Sequence, residues 1–162
     1  MSLIPARRPI AEHDLEFLCQ LYASTRQEEM SRSGWPEEVQ ADFLRQQFWM
    51  QHRYYQQYFV GGEFELLLDG AGEPIGRLYT YLYPDSLCIV DIALLPEWRG
   101  HGIGTFLLNE QLARADALGL PVTLHVEYYN RAREWYRRLG FSERGENGVY
   151  YCMVREPALV AA

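Results

Sequence analysis

A strand-like apolar run, Leu87 to Leu95, meets a helix-like run, Ile103 to Leu118, through Pro96-Glu-Trp-Arg-Gly-His-Gly, with glycines at 100, 102 and 104. Glycine adopts positive φ without steric cost, so this junction can turn several backbone N–H groups toward one small volume. The helix that begins there adds partial positive charge from its dipole. Such a chain can seat a phosphate where a strand passes into a helix, which presupposes a sheet with that helix packed on it.

The order of parts separates this junction from two common relatives. A P-loop would place Lys and then Ser or Thr after the last glycine, whereas Thr105 and Phe106 follow here. A dinucleotide fingerprint would read G-x-G-x-x-G after the first strand, with an acidic residue ending the next. Glu127 stands where that carboxylate would be, but the glycines run G-x-G-x-G and several strands come before them. A Rossmann-type domain with affinity for NAD is therefore disfavoured.

Arg99-x-x-Gly102-x-Gly104 resembles the pyrophosphate loop of the GNAT superfamily of acyl-CoA-dependent N-acyltransferases. About 25 residues downstream, the segment from Asn130 to Phe141 is similar to that superfamily's second helix, with Ala132, Tyr136, Gly140 and Phe141 at its spacing. In one departure, Tyr129 occupies the place of the superfamily's usual Asn, and Asn130 follows one step later. The resemblance covers roughly residues 62 to 155, and residues 1 to 60 match it only in general helical layout.

Periodicity predicts a mixed α and β order of elements. A short strand is expected at Leu3 to Ala6, a helix at His13 to Tyr22, a loop at Ser24 to Pro36, and a helix from Pro36 or Glu37 to about Phe59. On that second helix Val39, Phe43, Met50 and Tyr54 form one apolar stripe, Leu44, Phe48, Tyr55 and Phe59 another, with Gln40, Gln47 and Gln51 between. Together they cover more of the circumference than one core contact needs, which leaves substrate, a partner subunit or the preceding loop for the remainder. Phe64 to Leu68, Ile75 to Tyr83 and Leu87 to Leu95 read as an antiparallel meander. A strand at Val122 to Glu127, a helix from Asn130 to Leu139, and a hairpin of Ser142 to Arg144 with Val149 to Val154 complete the order. The expected fold is α+β, three layers α/β/α about a largely antiparallel sheet, as the resemblance also implies. One domain is expected over residues 1–162, the first 60 lining an acceptor site and 62–155 forming the acyl-CoA core.

Composition excludes several classes. With 162 residues and 48% hydrophobic content the chain suits one sizeable core. The net charge of −7 argues against a nucleic-acid partner, and the arginines between 131 and 138 read either as a solvated helix face or as phosphate contacts. There is no apolar run of ~18 residues and no charged-then-apolar start, so no membrane span or signal peptide is expected and the chain is read as cytoplasmic. Cys19, Cys88 and Cys152 read as buried free thiols. His13, His52, His101 and His125 have no metal-ligand spacing, and His125-x-Glu127 lacks the Pro-Cys-x-x-Cys of a zinc deaminase, so no metal is expected.

The resemblance implies acetyl-CoA as cosubstrate and direct N-acetyl transfer to a primary amine of a small molecule or protein. It assigns the pantetheine arm to backbone groups of Ile92, Ala93 and Leu94, and the pyrophosphate to amides of Arg99, Gly100, His101, Gly102, Ile103, Gly104 and Thr105, with Asn130 nearby. Tyr136 corresponds to the tyrosine that meets the coenzyme sulfur as general acid. Asp91 interrupts an apolar strand, and a carboxylate there needs a partner or a task. It is either the base or the ion-pair partner of Arg77, and Glu127 is the second candidate base. Arg26, Glu28, Glu29 and Trp35 are expected to wall the acceptor site, and Tyr81, between Tyr79 and Tyr83, an aromatic side of it. Another class stays open: an acyl-CoA-binding sensor or interaction module without turnover. A homodimer is also left open.

Overall fold

Arg8 and Asp14 settle how the chain enters the fold in the computed structural model, which describes residues 4–127, 130–146, 148 and 150–158. The guanidinium donates two hydrogen bonds to the Asp14 carboxylate at 2.7 and 2.9 Å, and the carboxylate also accepts the Ala11 amide at 2.7 Å. The hydrogen bond from Arg8 holds the Asp14 carboxyl below the usual carboxylate range against the opposing effect of burial. The first strand, β1 (Ala6–Pro9), runs past the expected Leu3 to Ala6, of which Leu3 lies outside the described residues. An edge strand of polar residues gives no apolar alternation to read.

A 3-10 turn at Glu12–Asp14 then leads into α1 (Leu15–Thr25). The expected loop from Ser24 to Pro36 contains a further helix, α2 (Gln27–Ser31), made of helix-forming residues with Glu28 and Glu29 in its first turn. Burial of Met30 pins it to the body. Helix α3 (Glu37–Tyr58) follows as expected, and its two stripes have separate fates. Leu44 and Phe48 pack with Leu18, Leu21, Tyr22 and Leu66, whereas Val39, Met50 and Tyr54 stay exposed and Phe43 lies edge-on to Trp35.

Strands β2 (Glu63–Leu68), β3 (Pro74–Leu82) and β4 (Leu87–Leu94) form the antiparallel meander. Helix α4 (Ile103–Leu118) crosses to β5 (Val122–Glu127), and α5 (Ala132–Arg138) leads to the hairpin of β6 (Ser142–Glu146) and β7 (Tyr150–Arg155). Val149, an expected strand residue, lies outside the described residues. The sheet runs β1-β2-β3-β4-β5-β7-β6, antiparallel except between β4 and β5. Helices α1 and α3 cover one face, and α4 and α5 the other, where Ile103, Leu107, Leu108, Leu112 and Tyr136 enter the core.

Two local features of the sheet set up a site. First, β4 pairs with β5 only at Leu87 with Val122 and Cys88 with Thr123, so the strands part beyond that point. Second, β4 bulges at Val90: Tyr79 faces Asp91 while Thr80 faces Ile89. Side chains alternate with period two along a strand, and an extra residue reverses the alternation. Leu87 and Ile89 therefore point to the α4 face together with Ile92, while Asp91 turns to the α1 and α3 face.

The β3–β4 contact is close at Gly76, where a Cβ would lie 2.3 Å from the Ala93 carbonyl oxygen. No side-chain rotation relieves a backbone clash. Gly76→Ala is expected to cost about 2 kcal/mol of stability, within the range for overpacking, as read by urea unfolding. Gly70→Ala, with nothing within 4 Å, should be nearly neutral; equal midpoints for the two variants would refute the close-approach account.

Candidate active site

The glycine loop is open toward solvent. Gly100 and Gly102 have φ of 77° and 83°, and a Cβ at either would meet nothing within 4 Å. Gly102 also caps α4, its carbonyl accepting the Phe106 amide at 3.0 Å. Gly104 is placed differently from Gly100 and Gly102. It sits in the first turn of α4, and its Cβ would point at the Trp135 ring, 3.5 Å away. Trp135 donates from Nε1 to Thr105 Oγ1 at 3.0 Å, tying α5 to the start of α4.

Beside this loop lies a cleft of about 550 Å³, walled by Ile92, Ala93 and Leu94, by the loop from Arg99 to Thr105, and by Asn130, Trp135 and Tyr136. His101 lies outside that lining, exposed, with Nε2 3.3 Å from the Glu97 carbonyl. Arg99 turns back, its Nε donating to the Leu94 carbonyl at 3.0 Å. Asn130 spends its side-chain oxygen on the Ala132 amide at 2.9 Å, which starts α5 two residues later than expected.

Ile92, Ala93 and Tyr136 also border a central cavity of about 270 Å³ between the parted β4 and β5. Both expected bases are there, and each is held by an arginine. Asp91 accepts from Arg77 at 2.7 Å and from the Tyr55 hydroxyl at 3.0 Å, and Arg77 also donates to Gln51 at 2.8 Å. Glu127 accepts two hydrogen bonds from Arg26, at 3.0 and 3.2 Å. Burial disfavours the Arg26 charge, yet the hydrogen bonds and the charge of Glu127 outweigh it and raise its pKa. The Tyr136 hydroxyl is raised well above the ordinary phenol range, first by burial and then by the Asp91 charge.

A third cavity, about 710 Å³, continues from the central one along α3. Tyr54, Tyr55, Tyr58, Tyr83 and Tyr150 contribute to its walls, with Gln47, Gln51 and Met50. The exposed stripe of α3 thus borders a cavity at Met50 and Tyr54, and the core-facing stripe reaches the same cavity at Tyr55 and Phe59. Glu28 and Glu29 line an outer pocket with Arg26 and Arg32, which shares Thr25, Arg26, Glu127 and Asn130 with the central cavity. Trp35 packs on Phe43, and Tyr81 lies between Phe59 and Tyr83 at ring distances of 5.5 and 4.7 Å, so neither borders these cavities. Tyr79, inside the sheet, is fully buried. His125, to which the sequence gives no role in transfer, lines both the central and the tyrosine-walled cavities. The readable signal is the polar alternation Thr123, His125, Glu127 along β5.

All three cysteines are free thiols; Cys19 and Cys88 are buried as expected, whereas Cys152, on β7, is half-buried. Among the described residues no helix is long and apolar enough to cross a membrane.

Residues 16–141 match the family model described as the Acetyltransferase (GNAT) family. A mycothiol acetyltransferase from Thermobifida fusca (strain YX) is 37% identical over 94 residues, which are 54% of this chain and 25% of that protein. The chain thus spans about a quarter of that relative's length. The PaiA N-acetyltransferase of Thermoplasma acidophilum, solved with coenzyme A, superposes with a TM-score of 0.70 at 20% identity, over 96% of this chain and 99% of that one. An acetyltransferase from Thermus thermophilus has a TM-score of 0.66 at 18% identity, with 94% and 97% covered. At these identities the likeness to the solved structures is one of fold. The family model, which covers most of the chain, carries the assignment: the chain belongs to the acetyltransferase (GNAT) family.

Proposed function

We propose that the protein transfers the acetyl group of acetyl-CoA directly to a primary amine of a small molecule or protein. The observation that carries this reading is one continuous passage: the glycine-loop cleft and the tyrosine-walled cavity both share walls with the central cavity between β4 and β5. Bound acetyl-CoA would supply a thioester carbonyl open to attack by an amine. The fit is favourable on two counts. The loop leaves free the volume where side chains at 100 and 102 would stand, and among the described residues β4 has no strand partner on its β5 side past Cys88. In this reading the backbone of Ile92, Ala93 and Leu94 holds the pantetheine arm, amides from Arg99 to Thr105 hold the pyrophosphate, and Asn130 borders the cofactor. Tyr136 supplies a proton to the departing sulfur, because burial keeps its phenol neutral.

The acceptor's body occupies the tyrosine-walled cavity. Among the described residues no carboxylate lines that cavity, and its one cation, Arg26, is matched by Glu127. Aromatic walls favour a flat or apolar body. A polyamine would bring additional ammonium groups with no counter-ion to receive them.

Calorimetry with acetyl-CoA and NAD, followed by thiol-release assays across amines, tests this. Micromolar acetyl-CoA binding without NAD binding is expected, with 2-phenylethylamine exceeding spermidine by about tenfold in kcat/KM, equivalent to ~1.4 kcal/mol of selective binding. Absence of acetyl-CoA binding would sink the reading. Binding without thiol release from any amine would leave an acyl-CoA sensor.

A further inference from the structure

We infer that His125 is the base that takes the proton of the acceptor amine, an inference that rests on the acetyl-transfer reading above. Its place in the fold is the first argument. Thr123, His125 and Glu127 alternate on the side of β5 that looks into the gap, and β4 has left β5 one residue pair before His125. His125 therefore stands at the passage from the tyrosine-walled cavity into the central one, where an amine arriving from the former would meet the carbonyl side of the latter.

The second argument is elimination by geometry. Both carboxylates of the central cavity are held by guanidinium groups, Asp91 by Arg77 and Glu127 by Arg26. Each carboxylate thus already spends oxygen lone pairs on its arginine, and Asp91 on the Tyr55 hydroxyl as well. The His125 side chain makes no hydrogen bond or ion pair among the described residues, and its ring is exposed to the cavity. Imidazole is also the side chain whose ordinary titration falls between pH 5 and 8.

The charged groups around it come from several elements and cancel in pairs: Arg26, between α1 and α2, against Glu127 of its own strand, and Arg77 of β3 against Asp91 of β4. The other titratable groups are the thiols of Cys88 and of Cys152, opposite His125 on β7, and phenols from α1, α3, α5, β7 and the segment after β3. Phenols are neutral across this pH range.

The step balances without any further reagent. The ammonium nitrogen gives one proton to the imidazole, and its freed electron pair forms the C–N bond while the C–S bond breaks with its pair left on sulfur. The second nitrogen proton is matched by the one that ends on the thiol, through Tyr136. The imidazole then returns its proton to water.

The test compares pH profiles of kcat/KM for the wild type, His125→Gln and His125→Asn, alongside an NMR titration of the His125 ring in the wild type. Expected are an acid limb in the wild type whose midpoint matches the ring titration, and loss of that limb in both variants. The plateau should fall by about 100-fold, with thermal midpoint and acetyl-CoA affinity unchanged. Added imidazole should restore part of the rate to His125→Gly. A limb that persists with the same midpoint in both variants would overturn the assignment and pass the role to a carboxylate or water, with acetyl transfer intact. A wild type that acetylates no amine would instead remove the transfer reading, and His125's role with it.

Discussion

Gly102→Val is expected to weaken acetyl-CoA binding by about 100-fold or more while the thermal midpoint falls only modestly. Two effects act together. A β-branched residue at φ of 83° is strained, so the loop would relax away from the conformation that turns its amides outward. A valine that kept the conformation would put its methyls into volume that is open in this structure. The core is little affected, because the loop is exposed and α4 is anchored further along by Leu107, Leu108 and Leu112. Calorimetry and thermal unfolding of the same sample separate the outcomes. Unchanged affinity would remove the loop from cofactor binding, and collapse of the midpoint would mark Gly102 as structural. Gly104→Ala makes a matched control: its Cβ meets Trp135 at ordinary contact distance, so binding should survive.

Tyr136→Phe is expected to lower kcat by about 100-fold, the usual worth of a positioned acid, with acetyl-CoA affinity within about twofold. The phenyl ring preserves the packing against Phe141 and Trp135, at ring distances of 5.7 and 5.0 Å, so stability should hold. The pH dependence follows from the raised pKa of the hydroxyl. A phenol whose charged form is disfavoured remains a proton donor beyond the ordinary tyrosine range of about 10, so the ratio of wild-type to variant rates should be the same at pH 7 and pH 9. Stopped thiol-release assays at both values measure it. An undiminished rate would return Tyr136 to a purely structural role in the core.

What can be read in the sequence is what local rules control. The meander, α3, α4 and the glycine loop depend on turn residues, periodicity and positive φ, and all stand near their expected positions. What cannot be read depends on distance along the chain or on a single extra residue. Arg26 and Glu127 meet across 101 positions. The bulge at Val90 lies inside Cys88-Ile-Val-Asp-Ile-Ala, where apolar residues on both faces hide any change of alternation. Yet that bulge gives Asp91 its contact with Arg77 and Tyr55. Helix α2 escapes notice because five residues are too few to show a period. Chain position alone puts Trp35 and Tyr81 at the acceptor site, and chain position carries no information about which way a ring turns.

The parting of β4 from β5 also bears on the stability of the protein. Each half of the sheet has its own continuous ladder, but the halves are joined by two residue pairs, Leu87 with Val122 and Cys88 with Thr123. Beyond those pairs the two halves are held by side chains, Leu87 and Ile89 of β4 packing in one core cluster with Val122, Leu124 and Val126 of β5 and with Leu108 and Leu112 of α4. A ligand that spans both sides adds its binding free energy to the closed form by mass action. In the proposed reading that ligand is acetyl-CoA, so the thermal midpoint of the protein should rise with the concentration of acetyl-CoA in the sample.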